Sequence, residues 1–102
     1  MISINQDNFE AEVLRSQVPA LVDFFAYYCG PCRLLKPVLA ALAESLGSRA
    51  RIATVDVVAN EGLAQAYQIA AVPTLIVFKS GVEIHRLVGL KDIHQLQEAL
   101  GV

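Results

Sequence analysis

The amino-acid sequence predicts an α/β fold, in which a central mixed β-sheet is flanked by helices on both faces. Apolar runs with strand character alternate with segments of helical periodicity along the whole chain. The early strands are separated by crossover helices, whereas the last two are joined by a short turn, so the sheet combines parallel and antiparallel pairs. The 102 residues are 55% apolar, which fits a single domain over residues 1–102 with a buried core.

The N-terminal part predicts a short helix followed by a buried strand. Asp7 and Glu10 have the spacing of a capping box, which opens a helix with apolar side chains turned inward. Residues 20–26 are an almost continuous apolar run, as expected for a central strand that is covered on both faces. The inward side chains of the short helix are Phe9, Val13 and Leu14.

The longest helix is predicted over residues 31–46. Pro31 suits its first turn, where a missing N–H costs nothing, and Gly47 ends it. Six apolar residues recur at helical spacing, and we expect them on the buried side of this helix. They are Leu34, Leu35, Val38, Leu39, Leu42 and Leu46.

The second half of the chain completes the element order βαβαβαββα. Ser80-Gly81 is a hairpin signal between two strand-like runs, and it predicts the one antiparallel turn. In chain order, the remaining elements are a strand over 51–58, a short helix over 61–67, hairpin strands over 74–79 and 83–88, and a last helix over 92–100.

Composition and charge exclude several classes of protein. The chain has 18% charged residues and a formal net charge of −2, so it is neither disordered nor a strongly basic nucleic-acid binder. Two cysteines are too few for a disulfide scaffold. The first residues lack the pattern of a signal peptide, and the longest uncharged stretch, 62–78, contains Pro73 and is too short to span a membrane. We therefore expect a cytoplasmic protein with no membrane or nucleic-acid partner.

The two cysteines form a Cys29-Gly30-Pro31-Cys32 motif between the central strand and the longest helix. A zinc site would need His85 and His94, whose spacing is wider than that of common zinc motifs. A permanent structural disulfide would close a loop too small to constrain the unfolded chain. Two unreactive core thiols would not require a Gly-Pro spacer between them or a position at the start of a helix. Redox chemistry is the interpretation that uses all of these features.

The position of the motif assigns a role to each cysteine. The free N–H groups and the positive end of the helix dipole favour a thiolate on the first cysteine, and Arg33 and Lys36 add positive charge nearby. We expect Cys29, at an exposed lip, to be the nucleophile that attacks a substrate disulfide. Cys32, inside the first turn, would resolve the resulting mixed disulfide.

Asp23 is the single carboxylate in the apolar strand that leads to Cys29. Burial disfavours a charged carboxylate, so we expect its pKa to be raised. A carboxyl group with a raised pKa near the thiols is a candidate proton acceptor for Cys32. The alternative is a partly hydrated aspartate with a structural role.

Five segments stand out in chain order: residues 21–33, Pro37, Val72-Pro73-Thr74, residues 78–81 and Val88-Gly89. Together they resemble the thioredoxin family. The resemblance covers the whole chain and implies the thioredoxin fold. It also implies that Pro73 is cis and lies against the disulfide, that the backbone beside it pairs with the substrate chain, and that Asp23 assists Cys32 through water.

The same resemblance implies which residues surround the thiols. An apolar rim around Cys29 would bind substrates, and four residues would shape the site. The rim residues would be Val57, Ala71, Val72, Gly89 and Leu90. The site-shaping residues would be Gly30, Pro31, Pro73 and Tyr28, with Pro31 favouring the reducing direction.

Three features depart from the pattern of the family. The two tryptophans that usually flank the motif are Phe25 and Tyr28, and the chain contains no tryptophan. Thr54 aligns with a lysine that usually accompanies the buried aspartate, which removes one positive neighbour, so we expect a higher pKa for Asp23 than in relatives that keep the lysine. Val58 aligns with a residue that is usually acidic. These changes leave the thiol chemistry intact and bear on redox potential and partner choice.

As a function, the resemblance implies a protein-disulfide reductase that works through reversible Cys29/Cys32 exchange without a bound cofactor or metal. Its partners would be disulfide-containing proteins and a thioredoxin reductase that draws on NADPH, or a ferredoxin-linked reductase, and it would act as a monomer. Two alternatives stay open: an oxidant or isomerase with the same thiols, and an adaptor module in which the thiols are incidental.

Overall fold

The computed structural model describes residues 1–102 and contains five strands and three α-helices. The strands are β1 (Ile2–Ile4), β2 (Ala20–Phe25), β3 (Arg51–Asp56), β4 (Thr74–Lys79) and β5 (Val82–Val88). The α-helices are α1 (Gly30–Leu46), α2 (Glu61–Ala66) and α3 (Ile93–Leu100). A π-helical turn covers Glu10–Leu14, and a 3₁₀ turn covers Gly47–Arg49.

The five strands form one mixed sheet in the order β1-β3-β2-β4-β5. The three strands β1, β3 and β2 are parallel to one another, because the chain crosses over between them. β4 runs antiparallel to both β2 and β5. The predicted fold class, a mixed sheet with a terminal hairpin, is therefore confirmed. The hairpin turns at Ser80 and Gly81, which both have positive φ angles, 53° and 79°.

Helices cover both faces of the sheet and bury one core on each side. β2 lies at the centre, and its residues alternate between the two cores. The face beneath the π-helical turn and α2 includes Phe9, Val13, Val22, Phe24 and Leu63. The face beneath α1 and α3 includes Leu21, Leu35, Leu39, Leu75 and Leu96. No helix has the length and apolar character needed to cross a lipid bilayer.

The phase of α1 differs from the prediction at one position. Leu34 was expected on the buried side, but it is 64% exposed, and this expectation is wrong. Leu34 and Leu35 are consecutive, and consecutive helical residues point about 100° apart, so both cannot face the sheet. Val38 is half-buried at the margin of the core. The fully buried residues of α1 are Cys32, Leu35, Leu39, Leu42 and Leu46.

The first helical turn is capped by Asn5 rather than by Asp7, so the predicted Asp7–Glu10 capping box is wrong. Asn5 Oδ1 accepts hydrogen bonds from the N–H groups of Asp7 (2.8 Å) and Asn8 (3.1 Å). Asn8 Oδ1 in turn accepts from the Asn5 N–H at 2.8 Å. The pair forms a reciprocal cap with the same spacing as a capping box, two residues earlier in the chain. Glu10 instead forms a surface ion pair with Arg15.

Candidate active site

Cys29 and Cys32 form a disulfide at the N-terminus of α1, with their Cα atoms 5.2 Å apart. Cys29 is the N-cap residue of α1, and its Sγ accepts a hydrogen bond of 3.2 Å from the Cys32 N–H. Gly30 and Pro31 occupy the first turn. The helix start therefore aims an N–H group and the positive end of the dipole at the Cys29 sulfur, where a thiolate would be stabilised after reduction.

The two sulfur-bearing residues differ little in exposure. Cys29 is 8% exposed and Cys32 is 3% exposed. We expected Cys29 at an exposed lip, but it is largely buried, and only a small part of this residue reaches the surface. Ala26, Phe25 and Val57 pack around the pair and account for its burial. An incoming disulfide can therefore approach Cys29 from one restricted direction.

The loop before β4 lies directly against Cys29. The Val72–Pro73 peptide bond is cis, as the family resemblance implied, and Pro73 is buried. The Cys29 Sγ lies 3.7 Å from the Val72 carbonyl oxygen. Two hydrogen bonds hold the loop in place: the Gly89 N–H donates to the Pro73 carbonyl, and the Thr74 hydroxyl donates to the Ala71 carbonyl at 2.6 Å.

An apolar groove of about 200 Å³ lies beside this loop. Of the expected rim, Val57, Ala71 and Val72 line it, together with Tyr28. Gly89 and Leu90 do not line the groove. Ile69 and Ala70 do, and sequence reasoning missed them, although they belong to the apolar run that precedes Pro73.

The tyrosine in place of a flanking tryptophan stands at the surface. Tyr28 is 63% exposed, and its neighbour Tyr27 is 71% exposed. Their rings meet edge to face, with centroids 5.3 Å apart. Because Tyr28 also lines the groove, the pair forms an aromatic wall on one side of it.

Asp23 lies in the middle of β2 and is 1% exposed. Its Oδ1 has no hydrogen-bond partner in the chain. Burial raises the pKa of Asp23 from 3.8 to about 7, and the positive charge of Lys36 opposes part of this rise. The sequence-based expectation of a raised pKa is confirmed. Thr54 lies beside Asp23 on β3 and carries no charge, as the resemblance implied, and the positive charge that acts on Asp23 is that of Lys36 on α1.

The structure gives no support to the zinc alternative. No group of three or more His, Cys, Asp or Glu side chains is placed to hold a metal ion. His85 on β5 and His94 on α3 are both exposed.

Comparison with known proteins places this geometry in one family. The sequence-family model described as Thioredoxin matches residues 1–101. A thioredoxin from Mycolicibacterium smegmatis is 39% identical over 105 residues, which cover 97% of this chain and 94% of that protein. A thioredoxin from Chlamydia trachomatis is 45% identical over 89 residues, which cover 87% of this chain and 84% of that protein.

A third relative joins two activities in one polypeptide. The bifunctional thioredoxin reductase/thioredoxin of Mycobacterium leprae is 39% identical over 90 residues, which cover 88% of this chain and 20% of that protein. The match over nearly the whole chain agrees with the mixed sheet, the cysteine pair at the start of α1 and the cis proline beside it. The chain belongs to the thioredoxin family and is a thiol–disulfide oxidoreductase that reduces protein disulfides.

Proposed function

We propose that electrons pass to protein substrates through Cys29 and Cys32, with Asp23 as the proton acceptor. The observation that carries this proposal is the position of the cysteine pair at the N-terminus of α1, beside an apolar groove. A thiolate at that position is stabilised by the helix N–H groups, and the groove supplies a surface for a substrate chain.

The exchange runs in two steps after the pair has been reduced. The Cys29 thiolate attacks one sulfur of the substrate disulfide, a mixed disulfide forms, and the other substrate sulfur leaves as a thiolate that takes a proton from water. Cys32 then transfers its proton to the Asp23 carboxylate, and the Cys32 thiolate attacks the Cys29 sulfur. The Cys29–Cys32 disulfide forms and the second substrate thiol is released. Two electrons pass to the substrate.

The Val72 backbone is suited to hold the substrate chain. Its N–H donates to no group of the protein, and its carbonyl oxygen faces the Cys29 sulfur. An extended substrate segment could pair with these groups, which gives binding with little sequence preference. The cis Pro73 and the Gly30-Pro31 spacer shape this approach. The groove beyond, walled by Tyr28, takes an apolar side chain of the substrate.

The source of electrons in this proposal is a thioredoxin reductase that draws on NADPH. The fused Mycobacterium leprae protein supports it, because that protein carries a reductase and a thioredoxin in one chain. The protein would act as a monomeric electron carrier in the cytoplasm, where thiols are kept reduced. It would need no bound cofactor of its own.

Two assays with purified protein test the proposal. In the first, dithiothreitol reduces insulin, and precipitation of the insulin B chain reports the rate. In the second, an NADPH-dependent bacterial thioredoxin reductase replaces dithiothreitol, and NADPH oxidation is followed at 340 nm. The wild type should be active in both. Cys29→Ser should fall to the uncatalysed rate, and Cys32→Ser should accumulate a mixed disulfide visible by mass spectrometry. Insulin reduction by Cys29→Ser above the uncatalysed rate would refute the assigned nucleophile.

The two alternatives are separated by further measurements. Equilibration with glutathione distinguishes a reductant from an oxidant or isomerase, because a reductant keeps its own disulfide even in excess reduced glutathione. An adaptor would keep its role in cells after Cys29 and Cys32 are both replaced by serine, whereas a reductase would lose it.

A further inference from the structure

Two side chains of β2, Asp23 and Phe25, lie on the side of the strand that faces Cys32 and Lys36 of α1. Asp23 and Phe25 are two residues apart on β2, so they share the sheet face that α1 covers. Cys32 and Lys36 are four residues apart on α1, so they share one side of the helix. The Lys36 Nζ lies 5.4 Å from the centroid of the Phe25 ring, within the range of a cation–π contact.

Lys36 matters because the strand neighbours of Asp23 carry no charge. Thr54 on β3 and Leu75 on β4 lie directly opposite Asp23 in the sheet, and neither carries a charge. On the same sheet face, Asp56 ends β3, and its Oδ1 already accepts hydrogen bonds from the Val58 and Ala59 N–H groups. From α1, the titratable group Cys32 and the cation Lys36 approach this region, and the charge that acts on Asp23 is that of Lys36.

We propose that Lys36 is a positioning residue for proton transfer from Cys32 to Asp23, held in place by the ring of Phe25. This inference rests on the proposed role of Asp23. In the step concerned, the Cys32 thiol loses a proton to the Asp23 carboxylate, and the thiolate forms the new bond to Cys29. The substrate sulfur leaves with the electron pair of the broken bond. Lys36 neither gains nor loses a proton; its charge keeps part of Asp23 ionised and ready to accept one.

The phenylalanine has a specific part in this arrangement. A lysine side chain that ends at the surface is free to turn its ammonium group into solvent. The Phe25 ring offers a face that attracts the cation, and Phe25 stands two residues from Asp23 on the same side of the strand. The Phe25–Lys36 contact therefore holds a positive charge near the Asp23 carboxylate. Thr54, the neighbour of Asp23 on β3, carries no charge.

The first experiment measures the titration of Asp23 itself. The carboxyl carbon of Asp23 is followed by NMR against pH in the oxidised protein, where no thiol titrates beside it. Lys36→Gln should shift the Asp23 midpoint upward by about half a pH unit, because it removes a charge that favours the carboxylate. Lys36→Arg should leave the midpoint unchanged. The matched control is Arg33→Gln, which removes one positive charge from the same end of α1. A shift in Lys36→Gln no larger than that in Arg33→Gln would overturn the proposal.

The second experiment measures the resolving step by stopped flow, as release of the second thiol from a preformed mixed disulfide. At pH 7, Lys36→Gln should be about twofold slower than wild type, and the difference should vanish near pH 9, where Asp23 is ionised in both. Phe25→Leu should slow the resolving step by less than Lys36→Gln does. Lys36→Arg should keep the wild-type rate. If Asp23→Asn leaves the pH profile unchanged, the role of Asp23 itself fails. If Asp23→Asn alters the profile and Lys36→Gln does not, only the role of Lys36 fails.

Discussion

The Gly89 N–H donates a hydrogen bond of 2.9 Å to the Pro73 carbonyl oxygen. This bond joins the residue after β5 to the loop that touches the Cys29 sulfur. Gly89 has a φ of +93°, a conformation that side chains of L-residues rarely adopt. The loop beside the Cys29 sulfur is thus anchored by a glycine that lies outside the groove.

Replacement of this glycine should disturb both stability and exchange. We expect Gly89→Ala to lower the free energy of unfolding by about 1–2 kcal/mol, because alanine is strained at this φ. We also expect slower insulin reduction, since the loop loses its anchor. Urea denaturation and the insulin assay measure the two effects. Gly30→Ala is the matched control, with no atom within 4 Å of the added Cβ and no positive φ, and it should leave stability within about 0.5 kcal/mol of wild type. An equal loss of stability in the two variants would contradict this account.

The buried carboxyl group should make stability depend on pH. The folded-state pKa of Asp23, about 7, lies above the unfolded value of 3.8. Its contribution is therefore fully present below about pH 4 and declines as pH rises to about 7, a loss of roughly 4 kcal/mol for these values. Asp23→Asn should be about 2–4 kcal/mol more stable than wild type at pH 8 and similar to it near pH 4. Urea denaturation of the oxidised proteins measures this, and a difference that does not grow with pH would refute it.

The aromatic wall should matter more for large substrates than for small ones. Tyr28→Ala removes one side of the groove, so we expect KM for a protein disulfide to rise several-fold, or about 1 kcal/mol of binding. Reduction of a small aromatic disulfide should change little, because it does not fill the groove. Val82→Ala is the control, since Val82 is 60% exposed at the opposite end of the sheet. The same loss for both kinds of substrate would show that Tyr28 acts on the thiols rather than on binding.

The asparagine cap predicts a stability effect at the start of the chain. Asn5→Ala removes the acceptor for two backbone N–H groups and should destabilise the protein by about 1 kcal/mol. Asp7→Ala should have an effect below about 0.3 kcal/mol, because the Asp7 side chain caps nothing. Thermal unfolding of the two variants provides the comparison. A larger loss in Asp7→Ala than in Asn5→Ala would restore the capping box expected from the sequence.

The parts of the fold that depend on local patterns could be predicted from the sequence. The central strand, the long helix and the Ser80-Gly81 turn each follow from the periodicity and turn chemistry of neighbouring residues. The first cap was assigned to the wrong residue, because a reciprocal Asn–Asn pair differs from the usual Ser/Thr…Glu/Gln pattern. The sequence pattern favours burial of both Leu34 and Leu35, because each fits a broad apolar stripe. In the structure the buried side is set by Leu35, Leu39, Leu42 and Leu46, and Leu34 falls outside it.

The candidate site could be predicted where its residues are neighbours in sequence or belong to a family motif. Cys29, Cys32 and the cis Pro73 are in this group. The contact between Lys36 and Phe25, and the charge that Lys36 directs at Asp23, depend on how α1 crosses β2. Such a crossing is a tertiary feature, and no local pattern contains it. The groove residues Ile69 and Ala70 could not be predicted for the same reason. An apolar run indicates burial, but it does not indicate which other segments the run contacts.

The absence of tryptophan makes the Tyr27–Tyr28 pair an optical reporter of the redox state. Disulfides quench the emission of nearby tyrosines, and no indole is present to absorb their excitation energy. Tyr28 is adjacent in sequence to Cys29, and the Tyr27 ring meets the Tyr28 ring edge to face. Tyrosine emission should therefore increase in intensity when the disulfide is reduced, so that turnover can be followed in the unlabelled protein.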